Sequence, residues 1–507
     1  MSSPRAPLAT GAIALIAGAK LALHLALANR YGYFRDELYF LDGGRHLDWG
    51  YVDHAPMIGL FSRIALLLGG SLPVLRGIAA LAGTGLVLLA ALLARRFGGG
   101  AFAETLAAVA VVVAPIYLGM SSLFTMNVFE PLFWMSAALA LVQALETDAK
   151  RDWVLVGALL GLGLMNKQST AFFAVSLAAG LVLSQRRRVL LRPGPCLAVA
   201  VATMLFAPNL VWQAAHGFPT LEDLRNVARS GKNVVLGPVE FVAQQVLILH
   251  PILFPLWALG LVFLFRRERG RFRALAWASA VFFLLLFLLR AKNYYLAPIY
   301  PMLLAAGAVG LERWTEGPRA RLARGAILTL VLLAGALTAP AVTPMLPPER
   351  LLAYQRTLHV APPKTEVAHA GPLPQMFGDQ FGWPELVAEV ARIYHALPAE
   401  ERAVATIFAN NYGEAGAIDL FGPALGLPTA ISGHQTYFFW GPQGRRSEVV
   451  IVLQSDSEDL ERVCTSVEKA GEHFHPWGMA EENQPIYVCR GLHPPFEVLW
   501  PRVKHWN

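Results

Sequence analysis

The sequence predicts a polytopic α-helical membrane protein, with about eleven membrane segments, that carries a soluble α/β domain at its C-terminal end. Three observations predict it. Of 507 residues, 55% are hydrophobic and only 15% charged, with a mean hydropathy of +0.46, whereas soluble chains carry roughly 25% charged residues. Nearly all the long apolar runs lie in residues 1–345, while residues 346–507 read as an ordinary soluble domain. The formal charge of +7 has a membrane cause, because Lys and Arg collect on cytoplasmic loops. No basic patch is interleaved with exposed aromatics, as single-stranded nucleic-acid binding requires, so nucleic acid is not an expected partner.

A membrane span needs about 20 apolar residues. Such stretches run over 9–28, 72–94, 101–119, 129–145, 195–213, 239–265, 274–290, 295–311 and 323–343. No small-residue cleavage site follows the first, so it reads as a retained span. The stretch 153–184 is apolar but interrupted by Met165-Asn166-Lys167-Gln168-Ser169. It predicts two short helices meeting at a polar break, near one membrane face or in a protein-lined cavity. Basic clusters at Arg95-Arg96, Lys150-Arg151, Arg186-Arg187-Arg188, Arg266-Arg267 with Arg269, Arg271 and Arg273, and Arg319-Arg321-Arg324 fall on alternate loops. The positive-inside rule places those loops and the N-terminus in the cytosol. The opposite face then receives Tyr31–Ile58, Ser121–Glu130, Lys167, the 214–238 loop (a lid, an acceptor rim or a plain connector), Lys292–Tyr295 and the C-terminal domain.

The tail alternates helix and strand patterns, as small α/β domains do. Helices are expected at Pro384–His395, Tyr412–Phe421 and Ser457–Ala470, and strands at Ala403–Ala409, Glu448–Leu453 and Gln484–Cys489. The Pro-rich stretch Pro340–Pro363 reads as the linker. No Gly-rich phosphate fingerprint follows a strand, so no nucleotide site is expected. Cys464 and Cys489 are either a disulfide, if the tail lies outside the cytosol, or two free thiols. No metal-ligand cysteine spacing exists.

Candidate chemistry concentrates in the first polar stretch, Tyr31–Ile58, which crowds Asp36, Glu37, Asp42, Asp48 and Asp53 with Arg35, Arg45, His46 and His54. Acids beside a membrane interface are partly desolvated, which raises their pKa toward useful general-base values. Asp36-Glu37 is therefore either a base or a solvated partner of Arg35. Asp53-His54 serves acid/base or binding work, or scaffolds the loop. Glu130, at the start of a span, is a functional acid or a helix-dipole partner. Lys167 neutralises a phosphate or snorkels to the interface. Arg290, Lys292, Tyr294 and Tyr295 suit a phospholipid head or a sugar, or form an aromatic belt. In the tail, Asn410–Ala415, Ser432–Gln435 and Trp440-Gly441-Pro442 are dense in polar and turn residues at element ends, where α/β domains bind ligands.

An apolar first span leading to Asp36-Glu37, then Asp53-His54-Ala55-Pro56, resembles the lipid-linked-sugar glycosyltransferases of the GT-C superfamily. Within it the chain is similar to the bacterial family 39-type group, related to protein O-mannosyltransferases and lipid A aminoarabinose transferases. The Asn166-Lys167-Gln168 break, the run from Lys292 through Tyr294-Tyr295 to Pro298-Ile299-Tyr300-Pro301, and NNYGEAGAIDLFGP with SGHQTYFFWGP in the tail resemble the same group. The resemblance implies Asp36 as base toward the acceptor hydroxyl, with Glu37 beside it, and Lys167 near the donor phosphate. The second-loop acid of many relatives falls at Asn127, which cannot act as a base; Glu130 lies one helical turn on.

Residues 1–345 are thus expected to form a transmembrane glycosyltransferase domain and 346–507 an extracytoplasmic one, in a bacterial inner membrane. The resemblance implies a polyprenyl-phosphate sugar as donor, inversion at the anomeric carbon, and a lipid, polysaccharide or protein as acceptor. Attack there gives an oxocarbenium-like transition state, and the leaving phosphate needs cations where charge develops. Lys167, Lys292 and Arg290 are the candidates. Asp53, His54, Glu130, Tyr294 and Tyr295 are expected to contact substrate. No cofactor is required, and no carboxylate cluster demands a divalent metal. The rival readings are a transporter or flippase for a lipid-linked molecule, which predicts inverted repeats the sequence does not show, and a non-enzymatic subunit whose tail binds glycan.

Overall fold

The computed structural model describes residues 9–266, 272–359, 366–367, 370–453 and 456–506. Arg267, Arg269 and Arg271 of one basic cluster, and residues 360–363 of the expected linker, lie outside the described residues. In chain order the helices are α1 Thr10–Leu27, α2 Arg35–Arg45, α3 Met57–Leu67, α4 Leu72–Arg96, α5 Ala101–Val113, α6 Pro115–Ser121, α7 Met126–Thr147 and α8 Lys150–Asn166. They continue with α9 Thr170–Leu183, α10 Pro193–Ala215, α11 Pro219–Ser230, α12 Pro238–Leu249, α13 Phe254–Arg266, α14 Arg273–Leu288, α15 Tyr300–Trp314 and α16 Ala320–Val342.

Six helical stretches among the described residues are long and apolar enough to cross a membrane: α1, α4, α7, α10, α16, and Asn293–Trp314, which joins a 3-10 turn to α15. Two bent helix pairs, α5 with α6 at 65° and Pro238–Leu249 with Pro251–Arg266 at 95°, are apolar and long enough only when taken together, each a broken span or a re-entrant loop. In the sequence each is one apolar segment, 101–119 and 239–265. Pro115 and Pro251 open the second helix of each pair, where the missing N–H costs nothing but the preceding residue is pushed out of helical geometry. The polar break does separate two short helices, α8 and α9. The expected linker is partly helical: α16 runs through Pro340, and another helix spans Pro348–Thr357.

The contacts divide the chain into two compact units. Unit 1 gathers Met1–Ala28, Pro73–Val211 and Val235–Gln355, so the boundary expected at 345 lies inside it. Small residues let its helices meet closely, as membrane bundles require where lipid is as apolar as the core. A Cβ on Gly260 of α13 would strike the Leu303 backbone carbonyl, and one on Gly307 of α15 would strike that of Leu256. One end of unit 1 collects charge. Arg95 meets Glu104 at 3.3 Å, Arg96 meets Glu146 at 2.5 Å, Arg192 meets Asp148 at 2.5 Å, and the Gly100 N–H donates to Glu312 at 2.6 Å. The alternation of basic loops along the sequence is thus a spatial clustering of helix ends.

Unit 2 gathers Asn29–Leu72, Trp212–Val234 and Arg356–Asn507. Its sheet has strands β1 Ala405–Phe408, β2 Ala430–Ile431, β3 Val449–Leu453, β4 Ser466–Glu472 and β5 Pro485–Arg490 in the order β2-β1-β3-β5-β4. β1 is parallel to β2 and β3, whereas β5 is antiparallel to β3 and β4. The helix Trp383–Ala396 and the helix Tyr412–Phe421 lie where expected. The helix expected over Ser457–Ala470 does not form. A short helix covers Glu458–Glu461, and the rest becomes edge strand β4. Pairing along β5 and the Cys464–Cys489 disulfide override a weak helical pattern, as cross-strand context commonly does. The bridge joins residues 25 apart, which in the chain-entropy account constrains the unfolded chain by about 3 kcal/mol.

If the α13–α15 crossing depends on backbone approach, Gly307→Val lowers the thermal midpoint of the detergent-solubilised chain, equivalent to about 1–3 kcal/mol of overpacking. Gly325→Ala, where a Cβ meets nothing within 4 Å, leaves it unchanged. Equal midpoints for the two variants would refute the packing role.

Candidate active site

The first polar stretch is not a loop. Its acidic part is α2, an 11-residue helix that opens on Asp36 and Glu37, where carboxylates meet the positive end of the helix dipole. The structure gives Glu37 a task other than the expected catalytic one. It is fully buried, and its Oε2 accepts the Phe34 N–H at 2.8 Å, a backbone cap on the helix entry. Asp36 is half-buried, and its Oδ1 accepts the Tyr412 hydroxyl at 2.8 Å. Burial raises the Asp36 pKa, against the opposing pull of Arg35 and the Tyr412 hydrogen bond.

Tail residues build the rest of this site. Tyr412 stacks on Tyr39 at 4.7 Å, and the Arg35 guanidinium lies 5.7 Å from the Tyr412 ring centre. Arg35 also pairs with Glu481 at 2.6 Å and reaches Asp379 at 3.7 Å. The Tyr39 hydroxyl donates to Asp53 Oδ1 at 2.9 Å and lies 2.5 Å from Thr436 Oγ1. Two glycines permit this approach. A Cβ on Gly413 would sit 2.5 Å from Arg35 Cγ, and one on Gly416 2.9 Å from the Leu38 carbonyl carbon. One helical turn further along α2, buried Asp42 accepts from Arg45 and from the Tyr437 hydroxyl, which also lies 3.3 Å from Asp419. Burial raises the Asp42 pKa and lifts Asp419 to about 7.

Asp53 and His54 differ in exposure. Burial raises the Asp53 carboxyl to about 7 and lowers the His54 imidazole to about 4. His54 is fully buried, stacked at 4.4 Å on Tyr51, with Nδ1 3.0 Å from the Ala55 carbonyl and Nε2 4.0 Å from Asp53. It is a neutral ring behind Asp53 rather than an exposed ligand.

A second cluster lies in unit 1. Lys167, in extended backbone between α8 and α9, donates to Asn127 Oδ1 at 2.8 Å and to Glu130 Oε2 at 3.3 Å. Its ammonium lies 4.5 Å from the Tyr295 ring centre. Ser169 donates to the other Glu130 oxygen. Asn127 thus accepts a lysine hydrogen bond. Tyr294 packs edge-on against Tyr295 at 4.9 Å. Arg290 is exposed and Lys292 half-buried. Among the described residues no group of three or more His, Cys, Asp or Glu is placed to hold a metal ion.

Sequence reasoning picked out NNYGEAG and SGHQTYFFW without assigning Tyr412, Thr436 or Asp419 to the acids of α2. The available signal was Gly413 and Gly416, three apart in one helix, which marks a face that another helix approaches.

The Asp53 environment has a pH consequence. A carboxyl at about 7 in the folded chain and about 4 unfolded binds its proton more tightly when folded. Its stabilising contribution is complete below about pH 4 and is lost as pH rises through about 7. Asp53→Asn is expected to flatten the fall in thermal midpoint between about pH 4 and 7. A wild-type slope in the variant would show that Asp53 does not contribute.

Three kinds of similarity bear on this arrangement. Residues 53–212 match the family model described as dolichyl-phosphate-mannose-protein mannosyltransferase. The lipid A galacturonosyltransferase RgtD of Rhizobium johnstonii is 29% identical over 317 residues, which is 59% of this chain and 65% of that protein. The match thus spans just under two thirds of that relative. ArnT from Cupriavidus metallidurans, solved bound to undecaprenyl phosphate, aligns with a TM-score of 0.61 at 14% identity, over 94% of this chain and 98% of that one. The oligosaccharyltransferase of Archaeoglobus fulgidus aligns with a TM-score of 0.50 at 12% identity, over 81% of this chain and 63% of that one. With the helical membrane fold of these structures, the mixed C-terminal sheet and the matched segments of sequence, the chain is similar to the glycosyltransferases of the GT-C superfamily.

Proposed function

We propose that the chain transfers a sugar from a polyprenyl-phosphate donor to an acceptor hydroxyl, inverting the anomeric carbon, at the extracytoplasmic face of a bacterial plasma membrane. The observation that carries this reading is the half-buried Asp36 carboxylate, oriented by the Tyr412 hydroxyl and raised in pKa by burial. A carboxylate so placed is a better proton acceptor than a solvated one. The acceptor hydroxyl loses its proton to Asp36 as its oxygen attacks the anomeric carbon, and the sugar–phosphate bond breaks with the electrons leaving on phosphate. Lys167, held by Asn127, Glu130 and Tyr295, is the cation assigned to that phosphate. Asp53, hydrogen-bonded through Tyr39, is assigned to substrate hydroxyls.

The relatives support the donor and acceptor classes. The ArnT structure holds undecaprenyl phosphate, and RgtD is a lipid A transferase, so a lipid hydroxyl is the preferred acceptor. The Cys464–Cys489 bridge supports an oxidising compartment for the tail.

In purified enzyme given a labelled polyprenyl-phosphate sugar, Asp36→Asn is expected to cut kcat by roughly 10²–10⁴-fold with donor binding retained. The wild-type rate should fall toward acid with a limb above the ordinary carboxylate range. Full transfer by the variant would remove Asp36 as base. Separately, Lys167→Met is expected to raise the donor KM by about tenfold or more, corresponding to a charge-assisted contact of about 1.5–3 kcal/mol. An unchanged donor KM would remove Lys167 from the phosphate.

A further inference from the structure

Asp53 sits at the open end of a hydrogen-bond chain whose other side chains are buried. Its own side chain is 24% exposed, whereas Tyr39 and Thr436 are 1% and 3% exposed. Three atoms converge on the Tyr39 hydroxyl oxygen: Asp53 Oδ1 at 2.9 Å, Thr436 Oγ1 at 2.5 Å and the Thr436 amide nitrogen at 3.3 Å. Thr436 Oγ1 also accepts the Val52 N–H at 3.1 Å. Among the described residues the Thr436 hydroxyl thus meets two groups. The Val52 N–H is a donor only, so Tyr39 is the one that can accept its proton.

Counting donors gives the chain a direction. With the Tyr39 proton turned to Thr436 Oγ1, the Thr436 proton would be buried without an acceptor, which costs the desolvation of that group. With Thr436 donating to Tyr39, every group is satisfied. The Val52 N–H donates to Thr436, and Thr436 donates to Tyr39 through both its hydroxyl and its N–H. The single Tyr39 proton is then aimed at Asp53. Each bond polarises the next in a buried chain of this kind.

The backbone around Thr436 is built to hold it there. Gln435 before it has φ 47°, a left-handed conformation that a residue of its type adopts where its surroundings impose it. His505 and Trp506 supply those surroundings. The Gln435 N–H donates to the His505 carbonyl at 3.3 Å, the His505 N–H to the Gly433 carbonyl at 3.1 Å, and the Trp506 indole N–H to the Gln435 carbonyl at 3.1 Å. On the other side, the Phe439 N–H donates to the Thr436 carbonyl at 2.9 Å, at the start of the short helix Tyr437–Trp440.

We infer that Thr436 is a positioning residue for substrate binding: its hydroxyl directs the Tyr39 proton onto Asp53, and so holds that carboxylate as the acceptor of a substrate hydroxyl. The inference rests on the assignment of Asp53 to substrate and adds a tail residue on which that contact depends.

The test separates positioning from packing. Thr436→Val keeps the shape and removes the donor, Thr436→Ser restores it, and Tyr39→Phe breaks the same chain one bond later. The thermal midpoint of the full detergent-solubilised chain is measured at about pH 5 and about pH 8, with Asp53 in place and in Asp53→Asn. A hydrogen bond is stronger to an ionised carboxylate than to a neutral one. Thr436→Val and Tyr39→Phe should therefore each cost about 1–3 °C more at the higher pH, and the excess should vanish in Asp53→Asn. Asp36, His54, Tyr412, Asp223 and Lys232 are the other titratable groups facing Asp53, and the Asp53→Asn arm cancels their shared contribution. In transfer assays with a labelled polyprenyl-phosphate sugar and lipid A, Thr436→Val should raise by about 2- to 10-fold the same substrate KM that Asp53→Asn raises. The change in kcat should be smaller, and Thr436→Ser should return the KM. An extra cost that ignores pH, or that persists in Asp53→Asn, would overturn the inference. So would a KM raised by Asp53→Asn but not by Thr436→Val. If neither variant moves a KM while Asp36→Asn abolishes transfer, the inference falls with the Asp53 assignment and the proposed reaction stands.

Discussion

The contact on which unit 2 depends is the approach of the helix Tyr412–Phe421 to α2. It is made possible by the missing side chains of Gly413 and Gly416 against Arg35 and Leu38. Close backbone approach brings the Tyr412 ring over Tyr39 and its hydroxyl onto Asp36. It also forces Arg35 into a buried position that has to be compensated, and Glu481 and Asp379 supply the opposing charge. A buried guanidinium without such partners would cost several kcal/mol. The same packing that desolvates Asp36, and so raises its pKa, requires the ion-pair cluster around it.

The acids of α2 acquire different properties from one helix because they face different surroundings. Glu37 points back at the backbone and becomes a cap. Asp36 stays half-exposed with one donor hydroxyl. Asp42 is buried between Arg45 and Tyr437. Residues at positions three and six from Asp36 extend the same face along the helix, so Tyr39 and Asp42 also meet tail residues, Thr436 and Tyr437. The polar and aromatic tail motifs are packing motifs first. Their polar residues satisfy the polar face of α2, and Asp36 remains the carboxylate with access.

In unit 1 the corresponding constraint is the polar α8–α9 break, where the Lys167 N–H donates to the Gly163 carbonyl and the Lys167 carbonyl accepts from the Thr170 N–H. Lys167 is extended there, and Asn166 donates to the Met126 carbonyl at 3.0 Å. The side chains at the break thereby tie it to the start of α7. Lys167 is held by a neutral amide, a carboxylate and an aromatic face. This arrangement holds the ammonium between three partners, one of them an ion-pair partner at 3.3 Å.

Much of the architecture was legible because apolar length and basic-loop parity are properties of the sequence itself. The spans, the two-helix break at Lys167, and the strand and helix positions around Ala405–Phe421 follow from hydrophobic runs, period and turn residues that act locally. The bends at Pro115 and Pro251, the strand at Ser466–Glu472 and the helical nature of α2 did not follow. Each depends on what packs against the segment, and short polar stretches carry weak local preferences that tertiary pairing overrides. The sequence by itself determined that acids cluster after the first span, that Lys167 interrupts an apolar stretch, and that the tail is rich in aromatic and polar motifs. Only the tertiary structure decided which acid keeps solvent access, which one caps a helix, and that residues nearly four hundred positions apart share one hydrogen-bond network. Burial and partner identity fix the chemistry of a carboxylate, and both are set by long-range packing.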